Sequence, residues 1–236
     1  NSATAVWSDT VELAASRFLY VAPTGGSIAP FASWETAATS LQDALDAAPV
    51  GAEIIVSNGT YTHPAALLAP RPVTVRGLTG NRDDVTLDGG NARRVLQITD
   101  DAVTFANLTI ARGKLGSPGA GVYMMGGTFT NCRVTACTGT ANYYGGSGAG
   151  VYMCGGRFID CLIDRNTFTG DIVAGLGFYM QGGESLIDRT WVVSNSLPIA
   201  SLGDGSGWAS AIYMNGGQVR NAVVADNSVD VIRGWS

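Results

Sequence analysis

Along residues 104–228 apolar and polar positions alternate in short runs, broken by Gly pairs or by a single Asn or Asp. That period-two pattern predicts short, half-buried strands separated by tight corners. One string returns four times: GAGVYMMGG at 119–127, GAGVYMCGG at 148–156, GLGFYMQGG at 175–183 and ASAIYMNGG at 209–217. The tyrosines of these strings are 29, 27 and 34 residues apart. A second string accompanies it, with an apolar residue, an Asn or Asp two positions on and a branched residue further along. It runs through Phe105, Asn107 and Ile110, then Phe129, Asn131 and Val134, then Phe158, Asp160 and Ile163, and finally Val219, Asn221 and Val224. A degenerate copy passes through Leu186 and Asp188, and a further polar or Gly position follows each copy at Gly113, Cys137, Asn166, Asn195 and Asn227. The Asp188 copy needs one extra residue, which predicts a bulge near Arg189 to Trp191.

Repeats of this length, made of strands with no helix between them, stack as coils of a parallel β solenoid with like residues ~4.8 Å apart. Asn and Asp tolerate the left-handed backbone of a one-residue corner, which accounts for positions 107, 131, 160, 188 and 221 as a turn ladder. Upstream the pattern changes. Residues 34–48, WETAATSLQDALDAA, set Leu41, Ala44, Leu45 and Ala48 at helical spacing, and Pro49 and Gly51 end the helix. We expect this helix to cap the open end of the solenoid, where unpaired strand edges would otherwise be exposed. The chain divides into an N-terminal segment, 1–19, and a β-helix domain, 20–236, of seven or eight coils. It begins with Asn and stops at Ser236, and reads as a mature form or a piece of a longer protein.

Charge narrows the functional classes. Fourteen basic residues against 19 acidic give a net charge of −5, with no Lys/Arg patch, so nucleic acid is not an expected partner. No apolar run approaches the ~18 residues of a transmembrane helix. The single His63 and single Lys114 exclude any mechanism that needs two histidines.

The run YVAPTGG, SWETAATSLQDAL, GAEIIVSNGTY, VTVRG, VTLDGG and VTFANLTI between Tyr20 and Lys114 resembles the opening of right-handed parallel β-helix proteins of the pectin-lyase-like superfamily. The later repeats are similar to those of bacterial polymorphic outer-membrane proteins and autotransporter passengers. The resemblance implies an all-β, single-stranded right-handed parallel β-helix with an N-terminal capping α-helix. It implies little about activity, since that superfamily holds lyases, hydrolases, adhesins and inert stalks. The catalytic residues of its enzymes do not carry over: the one His lies far upstream of any candidate carboxylates, Lys114 lies outside an Arg-x-Lys string, and no carboxylate cluster for Ca²⁺ stands out.

The candidate residues follow from the repeats. Asp83 with Asp84 and Asp100 with Asp101 precede strands and read as turn formers, as does Asp88 in LDGG. Cys132 and Cys161 fall at equivalent positions and read as stacked core residues; with Cys137 and Cys154 they match no zinc or redox spacing. If Val122 and Met124 and their equivalents face the core, Tyr123, Tyr152, Tyr179 and Tyr213 point outward as a strip for sugar rings or as a structural stack. The insertions TGTANYYGGS, TFTGDIVA and SLPIASLGDGSGW leave the solenoid beside that strip and offer Tyr143, Tyr144, Phe168, Asp171, Asp204 and Trp208 to a glycan, with Ca²⁺ as a candidate ion and no other cofactor.

We therefore expect a non-catalytic extracellular or cell-surface module, adhesive or structural, with a polysaccharide or cell-surface glycan as partner and end-to-end self-association as a further option. The alternative is a polysaccharide lyase or glycoside hydrolase, whose acid or base would come from Asp164, Arg165, Asp171 or Arg133.

Overall fold

The computed structural model describes residues 17–116, 118–140, 146–169, 173–200 and 210–231. Its strands pair in parallel and stack coil upon coil into four long sheets, so the chain is a parallel β-helix. One repeat shows the logic. The tyrosine strand Val122–Met124 turns at a Gly pair into Thr128–Thr130, which turns at Asn131 into Arg133–Thr135 and then at Ala136 into Thr138–Thr140. Each strand pairs with its equivalent one coil later, as Tyr123 with Tyr152, Phe129 with Phe158, Val134 with Ile163 and Gly139 with Phe168. We name the sheets by what they carry: the tyrosine sheet, the phenylalanine sheet, the branched-residue sheet and the threonine sheet.

Alternation along each strand sends one side chain inward. Val122 and Met124 are fully buried, as are Phe129 and Val134, and the same holds for their equivalents Val151, Met153, Phe158 and Ile163. The phenylalanines stack down the interior, Phe105 on Phe129 at 5.5 Å and Phe129 on Phe158 at 4.5 Å between ring centroids. At the Gly-pair corner a side chain has no room. Gly156 has φ +91°, and a Cβ there would lie 2.5 Å from the carbonyl oxygen of Gly127.

The corner between the phenylalanine and branched-residue sheets is one left-handed residue: Asn107, Asn131, Asp160 and Asn221, with φ between 46° and 56°. In the degenerate copy the structure corrects the expected alignment. Ile159 pairs with Asp188, so Arg189 (φ 46°) takes the corner and Asp188 ends the preceding strand, Ser185–Asp188. No bulge is needed; the extra residue came from aligning on Asp188 where Arg189 turns the corner. A second one-residue corner, unforeseen as such, falls at Arg112, Ala136, Arg165, Ser194 and Asp226 (φ 52–55°).

Behind each corner runs a ladder of short polar side chains. Asn166 and Asn195 have no solvent exposure, which would be costly for an amide without partners. Each carboxamide oxygen accepts the backbone N–H of the preceding coil: Cys137 to Asn166 (3.0 Å), Asn166 to Asn195 (3.0 Å) and Asn195 to Asn227 (2.9 Å). Each carboxamide nitrogen donates to a carbonyl of that coil, Asn166 to Val134 and Asn195 to Ile163, both at 3.0 Å. At the other corner thiols and a hydroxyl do the same work. The Cys132 N–H meets the Cys161 sulfur at 3.4 Å, and the Cys161 N–H donates to Thr190 Oγ1 at 3.2 Å. Cys132 and Cys161 are thus stacked interior residues as expected, and all four cysteines are free.

The cap helix is shorter than the sequence suggests, Leu41–Ala47, because Ser40 terminates it: its side chain accepts the N–H of Asp43. Leu41, Ala44 and Leu45 are buried and close the first coil. The far end differs. Met214 and Val224, on core-facing rows, are 44% and 51% exposed, because no described coil lies over them.

Two outcomes test this architecture. Asn195→Ala orphans buried backbone groups on two coils and should cost about 2–3 kcal/mol in urea denaturation, whereas Asn227→Ala, on the last described coil, should cost less. Burial pushes the Cys132 thiol well up and those of Cys137 and Cys161 to about 12. Iodoacetamide should therefore label half-buried Cys154 and spare these three in the native protein, as read by peptide mass spectrometry.

Candidate functional site

The outer face of the tyrosine sheet is the most regular surface on the molecule. Register puts Tyr123, Tyr152, Tyr179 and Tyr213 on adjacent strands, and since their strand neighbours Val122, Met124 and equivalents fill the core, the rings stand outside. They stack with centroids 5.3, 5.1 and 4.7 Å apart and interplanar angles of 2°, 8° and 18°. The guanidinium of Arg94 lies 4.9 Å over the free face of Tyr123 and ends the stack. It is held there by the carbonyls of Gly119 (3.0 Å) and Pro118 (2.7 Å) and by Gln97 (3.2 Å).

This geometry decides what the strip can offer. The faces of Tyr123, Tyr152 and Tyr179 are used up on neighbouring rings and on Arg94, so along these coils a ligand meets a row of ring edges and hydroxyls, one per coil. Two residues on, Met125, Cys154, Gln181 and Asn215 make a parallel outer row, and the Tyr152 hydroxyl donates to Gln181. Burial, followed by the neighbouring Cys154 thiol and Tyr179, pushes the Tyr152 phenol up to about 12. Its hydroxyl is a neutral donor at any physiological pH.

The side-loop residues divide. Tyr143, Tyr144, Asp171, Asp204 and Trp208 lie outside the described residues. Phe168 is not a surface platform: it is 1% exposed. The segments read as insertions begin as strands, Thr138–Thr140, Thr167–Thr169 and Ser196–Ala200, of the threonine sheet, and the second residue of each, Gly139, Phe168 and Leu197, faces inward. Phe168 fills the space beside Gly139, where a Cβ would sit 2.4 Å from its ring. Gly in the middle of TGT, opposite Phe in TFT, was the available sign.

The described residues among the nominated acids and bases, Arg133, Asp164 and Arg165, do not gather at the tyrosines. Arg133 and Asp164 belong to the branched-residue sheet and pair with each other, Nε to Oδ1 at 2.8 Å and Nη2 to Oδ2 at 2.6 Å, while Arg165 adds a contact at 3.0 Å. Asp88 is likewise paired with Arg112 and accepts the Gly90 N–H, so it closes a turn as expected. Burial by itself would raise Asp88 and Asp164. For Asp88 the hydrogen bonds from Arg112 and the Gly90 N–H with the charge of Arg112, and for Asp164 those from Arg133 and Thr135 with the charges of Arg133 and Arg165, together outweigh it and hold both below the usual carboxylate range. Asp160 is lowered by Arg189, and Asp188 by Asn221 and then Arg220. Asp84 accepts from Thr79 and Asn81, and Asp100 from the Ala102 N–H, both as turn formers. Among the described residues no three His, Cys, Asp or Glu side chains converge as a metal site.

No protein-family model matches the chain, and no curated protein matches it. Among solved structures it is similar to the crystal structure of the pectin methylesterase from Aspergillus niger in penultimately deglycosylated form. That overlap has a TM-score of 0.42 and 14% identity, and covers 92% of this chain and 86% of that one. None of the described helices is long and apolar enough to cross a membrane.

The buried pair gives a pH-dependent outcome. Asp164 titrates lower folded than unfolded, so its contribution is present above the unfolded carboxylate pKa and is lost as pH falls through the folded value. Asp164→Asn should lower the melting temperature at pH 7 by an amount equivalent to about 1–3 kcal/mol. The gap to the parent protein should close as the melts are repeated below about pH 4.

Proposed function

We propose that this β-helix is a non-catalytic extracellular or cell-surface module, adhesive or structural, that holds an extended polysaccharide along the edge of the tyrosine stack. The carrying observation is the outward row of four stacked tyrosines, whose hydroxyls recur once per coil. A coil repeat of ~4.8 Å is close to the rise of one sugar in an extended polysaccharide, so successive hydroxyls can meet successive sugars in the same way. Many weak contacts in register add up without a deep pocket, which suits adhesion. The resemblance of the repeats to bacterial surface proteins points the same way.

The state of the carboxylates supports a non-catalytic reading. A general acid needs a raised pKa near the working pH, whereas Asp88, Asp160, Asp164 and Asp188 are all held low by arginine or amide partners. They stay ionised at neutral pH and are tied to the coil beside them.

Affinity electrophoresis in gels cast with neutral and acidic polysaccharides, with and without Ca²⁺, tests the proposal. One polysaccharide should retard the protein, and Tyr152→Ala combined with Tyr179→Ala should abolish most of that retardation. Mass spectrometry of the same mixtures should find no released oligosaccharides. Release of unsaturated or hydrolysed fragments would overturn the reading in favour of a lyase or hydrolase, and retardation unchanged in the double variant would remove the tyrosine edge from it.

A further inference from the structure

A second surface lies on the branched-residue sheet, away from the tyrosines. Its outward row runs Thr109, Arg133, Leu162, Trp191 and Val223 across successive coils. Trp191 is 57% exposed, and no described aromatic ring stacks on it. It therefore differs from Tyr123, Tyr152 and Tyr179, whose faces are spent on their neighbours, because an indole face beside Leu162 and Val223 is open to a ligand.

A rigid wall stands beside it. The loop 78–84 is braced internally by Thr79 and Asn81 on Asp84, and it is pinned across three coils. Thr109 Oγ1 donates to the Arg82 carbonyl (2.9 Å), Asn131 Nδ2 to the Gly80 carbonyl (3.0 Å), and Arg82 itself to the Asp160 carbonyl (3.2 Å). Between this wall and the indole lies a groove of about 410 Å³ lined by Arg82, Asp160, Cys161, Leu162, Arg189 and Trp191. That volume is in the range of small-ligand sites. Arg189 grips Asp160 bidentately, Nε to Oδ1 at 2.7 Å and Nη2 to Oδ2 at 2.9 Å, with both side chains about half exposed. It is also the one residue in its corner row that is neither Asn nor Asp, in a left-handed conformation those two enter more readily.

We infer that this groove binds a neutral sugar ring, stacked by its apolar face on Trp191 and hydrogen-bonded through neighbouring hydroxyls to the Asp160–Arg189 pair and Arg82. Planar, paired donors and acceptors match a vicinal diol, and the open indole supplies the apolar contact. The charges argue for a neutral ligand. Around the groove Arg189 is matched by Asp160, Asp188 is shared between Arg189 and Arg220, and Asp83 beside Arg82 pairs with Arg133, so arginines and carboxylates are close to balance and no large surplus of one sign is there to hold an ion. The site uses none of the tyrosines and stands or falls apart from them.

Saturation-transfer NMR and titration with cellotriose, mannotriose and galactotriose, with a glucuronate trimer as the acidic comparator, test the inference on the whole chain. At least one neutral trimer should show transfer to its ring C–H protons. Trp191→Ala should weaken its binding by about tenfold or more, as loss of a central aromatic anchor does. Arg82→Gln and Asp160→Asn should each weaken it severalfold, the latter keeping a corner-compatible residue, with far-UV circular dichroism unchanged. Tyr152→Ala should leave this binding intact. The inference fails if no neutral trimer binds, if binding survives Trp191→Ala, if the acidic trimer binds tighter than every neutral one, or if Tyr152→Ala abolishes the signal.

Discussion

Everything in this molecule depends on satisfying the backbone at two buried corners. A coil can turn in one residue only if that residue goes left-handed, and the amide that follows then points into the core, away from water. The protein answers with a side chain from the next coil: the oxygen of Asn166 for Cys137, of Asn195 for Asn166 and of Asn227 for Asn195. Because each bond reaches one coil along the axis, the ladder fixes which coil lies next and in what register. The phenylalanine stack and the tyrosine stack are consequences of that register, since identical positions are brought to the same height on neighbouring coils.

Arginine fixes the outside of the same corners. Arg133 on Asp164, Arg189 on Asp160 and Arg220 on Asp188 each join neighbouring coils along the axis. Most of these pairs are partly exposed, so they contribute specificity of register more than energy. They engage the carboxylates of Asp160, Asp164 and Asp188. Acids that hold coils together in this way leave a surface whose main feature is shape at a fixed repeat.

The two candidate surfaces are two uses of that repeat. On the tyrosine sheet like residues face like, so the rings consume each other's faces and present edges. On the branched-residue sheet the outer row changes at every step, from Arg133 to Leu162 to Trp191, and the change leaves one indole unstacked beside a loop that arrives from coils earlier. Regularity gives an extended track, and the break in regularity gives a discrete groove.

The sequence by itself determined the solenoid, the coil length, the outward tyrosines and the stacked cysteines, because each is written as a repeat and repeats survive without any knowledge of distance. It also marked the cap helix through Leu41, Ala44 and Leu45, and left its start to Ser40, whose capping bond is local but weakly signalled. Only the tertiary structure decided which residue of the degenerate copy turns the corner, since Asp188 and Arg189 are adjacent and pairing with Ile159 alone separates them. It decided too that Phe168 is core, because the space it fills is opened by Gly139 on another coil. The groove at Trp191 was out of reach for the same reason: Arg82 and Trp191 are more than a hundred residues apart in the chain, and a side chain's neighbours across coils depend on where a loop is pinned, which no local pattern records.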